Sequence, residues 1–505
     1  MKRFYTAILV GLLSVQLSYS QTLSDLINYN KTELSGSARY TSMSGAFGAL
    51  GGDLSAIGQN PAGSSVFLHT ELGLTAAFKD SQSQSLYNQT ITDSSNSDFN
   101  FNQFGMVLVF NNAYEDAEWT RVAFGINIDE IANYDTSYNV LGTNYLNSID
   151  SYFLDYADGL AFNNLRLYDD ETITEVYRIL GDDIGYGAQQ AFLGYQSYLI
   201  DPTIDADNTT TYVSNANYNS VQHDYLFNSK GFHRKYSLNF SSLYRKFLHL
   251  GMNLNFFRLS LTQTDNLIES GYSQNSFIQG VEFQNELITL GEGLSVQLGA
   301  IAKISQNLRI GLTYDSPEWL TLQDETRQYI VTTRLDNDFL IEETIEPDVV
   351  NLYSDTQVKI PSKLSGSIAF VFRNRGLISF DYIYSDYSNV SYTTNDNDYL
   401  QNINRLAKEI LKPAATYRIG GEIILESLSL RGGMFVEEAR RIDESDARKG
   451  YSLGLGVDFG GSVLNLSIIN QNTKSSNNLY NNGLTDNYSI NEDQFRVMLS
   501  YNIKL

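Results

Sequence analysis

Apolar side chains alternate with polar or small ones along most of the chain, and this period of two predicts β-strands. The alternation is unbroken from Tyr451 to Phe459 and from Phe495 to Leu505. Further stretches of the same kind lie at 72–78, 104–110, 122–128, 236–240, 248–256, 294–300, 308–314, 364–372, 378–384, 417–423, 428–434 and 464–468. The pattern therefore predicts an all-β fold of about 14 strands, each with one apolar face. A sandwich and a barrel both remain open on alternation alone.

The connections between these stretches separate a barrel from a sandwich, because short and long ones alternate along most of the chain. The short connections are 245–247, 305–307, 373–376, 426–427 and 460–462. The long ones are 80–98, 129–231, 264–293, 333–357, 386–413, 437–449 and 473–491. Outer-membrane barrels combine tight periplasmic turns with long external loops, and an even strand number lets the barrel close. The sequence therefore predicts a transmembrane antiparallel β-barrel.

The N-terminus has the features of an export signal. Lys2 and Arg3 precede a short apolar core at 7–17, and Ser18-Tyr19-Ser20 puts small residues where a signal peptidase cleaves. Residues 1–20 are therefore predicted to be a signal peptide. After residue 20, no run approaches the ~18 apolar residues that a membrane helix needs.

Composition excludes several classes of function. The chain has no cysteine, and its four histidines lack ligand-like spacing, so neither a disulfide framework nor a metal site is expected. A formal charge of −24 argues against binding to nucleic acid. Carboxylates are abundant, as in 336–348 and 443–446, but they crowd the predicted loops as a solvated face does. No catalytic constellation and no cofactor are predicted.

A run of small residues, SMSGAFGALGGDLSAIGQNPAGSS at 42–65, precedes the first alternating stretch. A phosphate-binding loop would need a strand before it, a helix after it and a Lys-Ser or Lys-Thr pair, which are missing. A flexible linker would be richer in serine and charge, and would not carry apolar residues such as Phe47 and Ile57. Asn60-Pro61-Ala62 has the composition of a turn that leads the chain into the first strand.

The small-residue run before the first strand resembles the FadL/TodX family of outer-membrane hydrocarbon transporters. The resemblance continues in LTYDSPEWLTLQDE (312–325) and in IPSKLSGSIAFVFRNRGLISFDYIYSDYS (360–388). It extends through YRIGGEIILESLSLRGGMFVEEA (417–439) and GYSLGLGVDFGGSVLNLSIINQ (450–471), and hardly touches 137–231. Members of that family fold as 14-stranded barrels, which agrees with the strand count. A strand that continues past Pro317 as one irregular strand keeps the number even.

The resemblance implies two parts: an N-terminal segment called the hatch, followed by the barrel. Residues 21–68 are expected to form an N-terminal hatch that plugs the barrel of 69–505. The hatch and gate residues implied in this way are Gly45, Gly48, Gly51, Gly52, Asp53, Asn60, Pro61 and Ala62. The implied protein is a monomer in the outer membrane of a Gram-negative bacterium, with both termini in the periplasm. Its partners are outer-membrane lipids and a hydrophobic ligand, a long-chain fatty acid or a related hydrocarbon, taken up passively.

The segment 137–231 is predicted to be a partly helical extracellular insertion. Apolar and acidic residues have roughly helical spacing at 149–167 and 171–199. The insertion is either a surface that captures hydrophobic ligand or a lid that packs on the mouth. A smaller amphipathic helix is predicted at 404–412, before Pro413.

Four arginines fall on the inward register of their strands: Arg121, Arg309, Arg418 and Arg431. Each of them is a candidate to bind a ligand carboxylate. Alternatively, each pairs with a carboxylate of the protein that also points into the barrel.

In the family, the ligand is released sideways through a kink in the third strand. Here that strand loses its apolar face at 129–133. Two other functions stay open: a docking platform for protein secretion or surface assembly, and an outer-membrane hydrolase.

Overall fold

A computed structural model describes residues 23–114, 117–393, 398–442 and 447–505. The predicted signal peptide (1–20) and the acidic run 443–446 lie outside the described residues. None of the helices in the described part of the chain is long and apolar enough to cross a membrane.

Fourteen antiparallel strands form one closed barrel, as the alternation predicts. The first seven are β1 (Glu71–Tyr87), β2 (Thr90–Asn111), β3 (Trp119–Asn133), β4 (Val221–Tyr244), β5 (Leu248–Ser270), β6 (Ile278–Lys303) and β7 (Leu308–Asp315 with Glu318–Asp336). The last seven are β8 (Thr356–Ile360 with Lys363–Val371), β9 (Gly376–Asp386 with Ser391–Tyr392), β10 (Pro413–Leu425), β11 (Leu428–Glu437), β12 (Arg448–Asp458), β13 (Ser462–Asn478) and β14 (Asn487–Lys504). β1 pairs with β14 from Glu71↔Lys504 to Leu86↔Ser489, so the sheet has no open edge there.

The seventh strand is interrupted at Ser316-Pro317 but remains one strand of the barrel. Its first half pairs with the end of β6 and with β8, and its second half continues on the same two neighbours. Proline has no N–H to donate, so the ladder is interrupted at this point without a change of neighbour. The prediction that the strand runs on past Pro317 is confirmed.

An apolar belt surrounds the outside of the barrel. Its side chains are 36–68% exposed and point away from the lumen, for example Leu74, Phe104, Phe240, Leu254, Leu298, Leu312, Phe380, Ile419, Leu453 and Leu499. The inward positions of the same strands carry glycine, serine, asparagine and charged residues. A soluble monomer rarely exposes an apolar surface this continuous, whereas the lipid-facing side of a membrane barrel has this composition.

The long connections are shorter than the sequence predicts, because the strands extend beyond the belt. The predicted loop 80–98 is a hairpin in which only Asn88 and Gln89 turn, both at positive φ (43° and 67°). The predicted loops 264–293, 333–357 and 473–491 likewise begin or end within strands, and the second contains the additional strand Phe339–Ile345. Outside lipid the outward face needs no apolar residues, so alternation is lost although backbone pairing continues.

The insertion contains the three helices α3 (Asp150–Ala157), α4 (Ile173–Asp183) and α5 (Tyr186–Gln196) and a small hairpin. Both boundaries expected for it, 137 and 231, fall within strands: Thr136–Asn144 pairs with the outer part of β4. Buried residues of the helices share one cluster with strand residues such as Phe283 and Tyr488. The insertion is therefore packed on the mouth of the barrel, where its apolar side chains are withdrawn from water.

The first described residues lie in the lumen of the barrel. Helix α1 (Leu23–Tyr29) buries Leu26 and Tyr29 against strand residues that include Leu259 and Leu322. The amphipathic helix α6 (Asp398–Ile410), which contains most of the predicted 404–412, packs in the same cluster. Apolar contact holds this end of the chain inside the barrel, towards the long-loop end of β5.

A charge in the apolar belt is expected to block assembly. Leu499 is 49% exposed in the belt, and a lysine there costs about 2–4 kcal/mol near the midplane of the membrane. Leu499→Lys should reduce the folded fraction, which migrates differently from the boiled protein on a gel. Ile204→Lys, at an exposed site on the insertion, is the matched control. Equal folded fractions in the two variants would contradict a lipid-facing belt.

Candidate functional site

Residues 23–68, called the hatch, form a compact plug that lies inside the barrel. After α1 it contains a short helix α2 (Ala38–Ser42) and two 3₁₀ turns, Ser55–Gly58 and Pro61–Val66. Its apolar residues Met43, Phe47, Leu50, Leu54 and Ile57 are at most 3% exposed. They pack on lumen residues, among them Phe435 and Val107, so the hatch and the barrel share two apolar clusters.

Close backbone approach explains the small residues. A Cβ on Gly48 would lie 2.1 Å from Oγ of Ser367, and a Cβ on Gly311 of β7 would lie 2.2 Å from the Gly48 carbonyl oxygen. The Gly48 N–H donates to Asp381 at 3.0 Å. Glycines on both the hatch and the wall therefore allow contact at main-chain distance.

Three other predicted glycines shape the hatch itself. Gly45, Gly51 and Gly52 have φ of 73°, 60° and 67°, a region that favours glycine. The Gly52 N–H donates to the Gly63 carbonyl at 3.1 Å, which ties two turns of the hatch together.

Asp53 organises the hatch from within. Its carboxylate accepts hydrogen bonds from the Ser37 hydroxyl at 2.7 and 2.8 Å and from the Ser55 N–H at 3.0 Å. Asp53 is therefore an internal link between α2 and the first 3₁₀ turn, rather than a group directed into an open passage.

Asn60, Pro61 and Ala62 connect the hatch to the wall. The Asn60 amide donates to the carbonyls of Gly48 at 2.7 Å and Ala300 at 3.2 Å, and its side-chain oxygen accepts from the Ala62 N–H. Pro61 occupies the first position of its 3₁₀ turn, where its missing N–H costs nothing. The segment is both a capped turn and a contact with the wall.

The four candidate arginines point inward, and each already has partners within the protein. Arg121, Arg309 and Arg418 donate to the hatch carbonyls of Ser65, Leu50 and Gly45, at 3.0, 3.0 and 3.4 Å. Arg431 donates to Glu422 at 2.6 Å, and Glu422 also accepts from the hatch residue Arg39 at 2.9 Å. All four therefore belong to the contacts that hold the hatch, directly or through Glu422.

The backbone ladder between β2 and β3 is incomplete. It runs from Asn111↔Arg121 to Gln103↔Asp129 and ends there, although β1–β2 pairing continues to Tyr87↔Thr90 and β3–β4 pairing continues to Asn133↔Phe232. Each strand has a bulge at this place. Asn102 is the extra residue of β2 relative to β1, and Ile131 is the extra residue of β3 relative to β4.

The hatch segment Glu33–Gly36, here called the neck, spans this gap. The Glu33 N–H donates to the Ile131 carbonyl at 2.8 Å. On the other side, the Ser35 hydroxyl donates to Asn102 at 2.7 Å, and the Asn102 amide donates to the Gly36 carbonyl at 2.9 Å. Both bulged residues therefore bind the neck. Bulges frequently redirect a strand at a functional site.

The side chain of Glu33 is held by cations. Its carboxylate accepts from Arg496 Nη1 at 3.1 Å and lies 3.4 Å from Lys31 Nζ. Burial opposes ionisation, but Arg496 and Lys31 outweigh it and lower the pKa of Glu33 to about 2. A small cavity adjoins the pair, with Glu33, Lys79, Asn100, Glu130, Asn133 and Arg496 in its lining.

The fold is similar to that of a solved toluene transporter and of a solved FadL homologue. The toluene transporter TodX of Pseudomonas putida matches with a TM-score of 0.52 and 13% identity, over 94% of this chain and 99% of that one. A FadL homologue of Pseudomonas aeruginosa matches with a TM-score of 0.54 and 10% identity, over the same shares. The chain has the FadL/TodX fold. No protein-family model and no curated protein matches the sequence.

Sequence reasoning missed the neck and its cation cluster. Arg496 lies on the inward register of β14, so the alternation that identified the other arginines could have included it. The mouth also holds a buried network that no pattern indicated. There, Glu269 accepts from the Ile149 N–H at 2.9 Å, pairs with His223 at 2.6 Å and joins the insertion to β4 and β5.

A larger residue at Gly311 is expected to displace the hatch. Gly311→Val places atoms where the Gly48 carbonyl lies, at a cost of about 1–3 kcal/mol for overpacking. The open population should rise roughly 5- to 150-fold, measured as single-channel conductance in planar bilayers. Gly366→Val is the matched control, because Gly366 pairs with Leu312 on the adjacent strand and a Cβ there meets nothing within 4 Å among the described residues. Unchanged conductance in Gly311→Val would mean that the hatch does not block the lumen.

Proposed function

We propose that the protein is a channel of the Gram-negative outer membrane for passive uptake of hydrophobic small molecules, long-chain fatty acids or related hydrocarbons. The hatch of residues 23–68 gates it. The observation that carries this proposal is a folded plug in a closed barrel, held at glycine contacts and by hydrogen bonds to most of the wall. A plug of this kind is needed by a channel that must stay closed to small polar solutes.

The route of the ligand follows from where the wall is weakest. Ligand enters at the mouth beneath the insertion and α6, and leaves sideways where the β2–β3 ladder ends. Phe99 and Phe101 of β2 are each 64% exposed on the outer side of this gap, so an apolar molecule leaving there meets aromatic side chains. The comparison with TodX, a toluene transporter, supports an apolar cargo.

The orientation of the barrel is part of the proposal. The short turns face the periplasm, and the insertion and the strand extensions face the outside, because tight turns and long loops divide this way in outer-membrane barrels. The protein acts as a monomer, because the barrel closes within one chain and no strand of a second copy is needed to complete it.

Uptake should depend on the position of the hatch. In cells that lack their own long-chain fatty acid channel, the wild-type protein should increase uptake of labelled oleate, and Gly311→Val should change the rate while Gly366→Val does not. Folded protein in the outer membrane is quantified for each strain. Absence of uptake with every variant, at normal levels of folded barrel, would overturn the transporter function and favour a docking platform, which needs only its loops.

Topology can be tested with single cysteines because the chain has none. Asn208→Cys, on the exposed hairpin of the insertion, should react with an impermeant maleimide on intact cells. Ser305→Cys, in an exposed short turn, should react only after the outer membrane is opened. The reverse pattern would contradict the orientation.

A further inference from the structure

The additional strand Phe339–Ile345, here called the edge strand, has a neighbouring strand on one side. It pairs with the second half of β7, from Asp336↔Phe339 to Ile330↔Ile345. Within the described residues, no second strand pairs with its other side. The N–H and C=O groups along the free edge of a sheet are a template for one more strand.

Hairpin geometry determines which backbone groups of the edge strand point away from β7. Asn337 and Asp338 form a two-residue turn, both at positive φ (47° and 67°). In such a hairpin the residues that flank the turn are hydrogen-bonded to each other, and bonded pairs then alternate with non-bonded pairs. Every second residue of the edge strand, starting with Leu340, therefore directs its N–H and C=O towards the free edge.

A hydrogen bond on the opposite side of β7 supports this register. The Leu335 N–H donates to the Phe277 carbonyl at 2.7 Å, so Leu335 is not bonded to Leu340, its partner across the hairpin. The residues with free backbone groups are Leu340, Glu342 and Thr344. Among the described residues, none of these groups has a hydrogen-bond partner.

The other face of the hairpin holds the edge strand in place. Ile345 is 3% exposed and belongs to the apolar cluster at the mouth. Arg334 of β7 lies 3.7 Å from Glu343 of the edge strand and 4.8 Å from the ring centre of Tyr198 in the insertion. An edge that is already ordered loses little conformational freedom when a partner binds to it.

Charge decides what can pair with this edge. The acidic run 336–348, which the sequence alone assigns to a solvated loop, has six carboxylates and no lysine or arginine. Arg334 lies near two of them, Asp336 and Glu343, each at 3.7 Å. A second copy of this edge would bring the same carboxylates alongside and be repelled, because like charges on neighbouring strands are destabilising. A lysine or arginine beside Glu342 is favourable for the same reason.

We propose that the edge strand is a docking site for an extended, basic segment of a partner protein, which joins the sheet as one more strand. Its backbone pairs with Leu340, Glu342 and Thr344, and its lysine or arginine side chains lie beside Glu342. Phe339 and Leu340, 74% and 66% exposed, offer apolar contact near the hairpin turn. In the proposed orientation this site faces the outside of the cell. Docking goes beyond transport and does not depend on it.

The test compares two peptides that differ only in their ability to donate backbone hydrogen bonds. The first is a fluorescein-labelled peptide of seven residues, the length of the edge strand, with lysine and valine in alternation. The second is the same peptide with every backbone nitrogen methylated. Binding to the whole protein in zwitterionic lipid nanodiscs is measured by fluorescence anisotropy, with empty nanodiscs as the background. The wild-type protein should bind the unmethylated peptide at least about tenfold more tightly, the scale of one or two hydrogen bonds.

Thr344→Pro removes one N–H from the free edge. The pairing with β7 should remain, because Thr344 is at a non-bonded position on that side and proline is tolerated where the N–H faces solvent. Binding of the unmethylated peptide should weaken about tenfold, since a hydrogen bond is lost and the ring blocks close approach. Thr344→Val, which keeps the N–H, is the matched control and should bind as the wild type does.

Glu342→Gln tests the charge of the site. It should weaken binding about two- to fivefold, the scale of an exposed ion pair. Asp170→Asn, which removes an exposed carboxylate from the insertion, lowers the net charge equally and should leave binding unchanged.

Equal affinity for the two peptides, or equal binding by Thr344→Pro and Thr344→Val, would overturn the inference and leave only charge attraction. A concentration-dependent dimer that Thr344→Pro abolishes would also overturn it, because the edge would then bind a second copy. The comparison of the two peptides needs no variant, so it decides the question even if one fails to assemble. Oleate uptake should be the same in all these variants, so failure of docking is distinguishable from failure of transport.

Discussion

Backbone hydrogen bonds between neighbouring strands are the constraint on which the whole molecule depends. In lipid, a strand with an unpaired edge leaves N–H and C=O groups without partners, so a spanning sheet has to close. Here β1 pairs with β14 over sixteen residue pairs and completes the circle. Between β2 and β3 the ladder is left short, and the neck of the hatch supplies hydrogen bonds to both sides. The hatch therefore fills the lumen and also completes the hydrogen bonding of the barrel wall at this gap.

The polar lumen has a consequence for how tightly the hatch can be held. Most hatch contacts are single hydrogen bonds between small groups, such as Ser44 with Ser452 and Thr41 with Ser467, both at 2.8 Å. Each is worth about 0.5–1.5 kcal/mol net. Together, these weak hydrogen bonds fix the position of the hatch in the barrel. Each can break separately, so the hatch can lose them a few at a time. A stepwise release from one end fits this arrangement better than ejection of the whole plug.

The sequence predicts those parts of the fold in which contact with lipid determines the residue type. Outward residues such as Leu453 and Leu499 have to be apolar, so alternation marks every strand where it crosses the belt. Strand segments outside lipid need no apolar residues on their outward face, so the hairpin around Asn88-Gln89 shows no alternation and is predicted as a loop. The inward position of Arg309 follows from alternation, but its partner is the Leu50 backbone carbonyl, which leaves no trace in the sequence. The neck residue Glu33 meets Arg496 from 463 positions away, and no local pattern indicates such a pair.

The hatch also imposes an order on biogenesis. Its Ala38 N–H donates to the Ser500 hydroxyl at 2.6 Å, and these residues are 462 positions apart. The hatch leaves the ribosome first, but its contacts with the last strand cannot form until nearly the whole polypeptide has been exported. Closing a loop of this length is entropically costly and slow. The hatch therefore reaches its final contacts only when β14 pairs with β1 and the barrel closes. The assembly machinery thus has to accommodate a plug that arrives with the final strand.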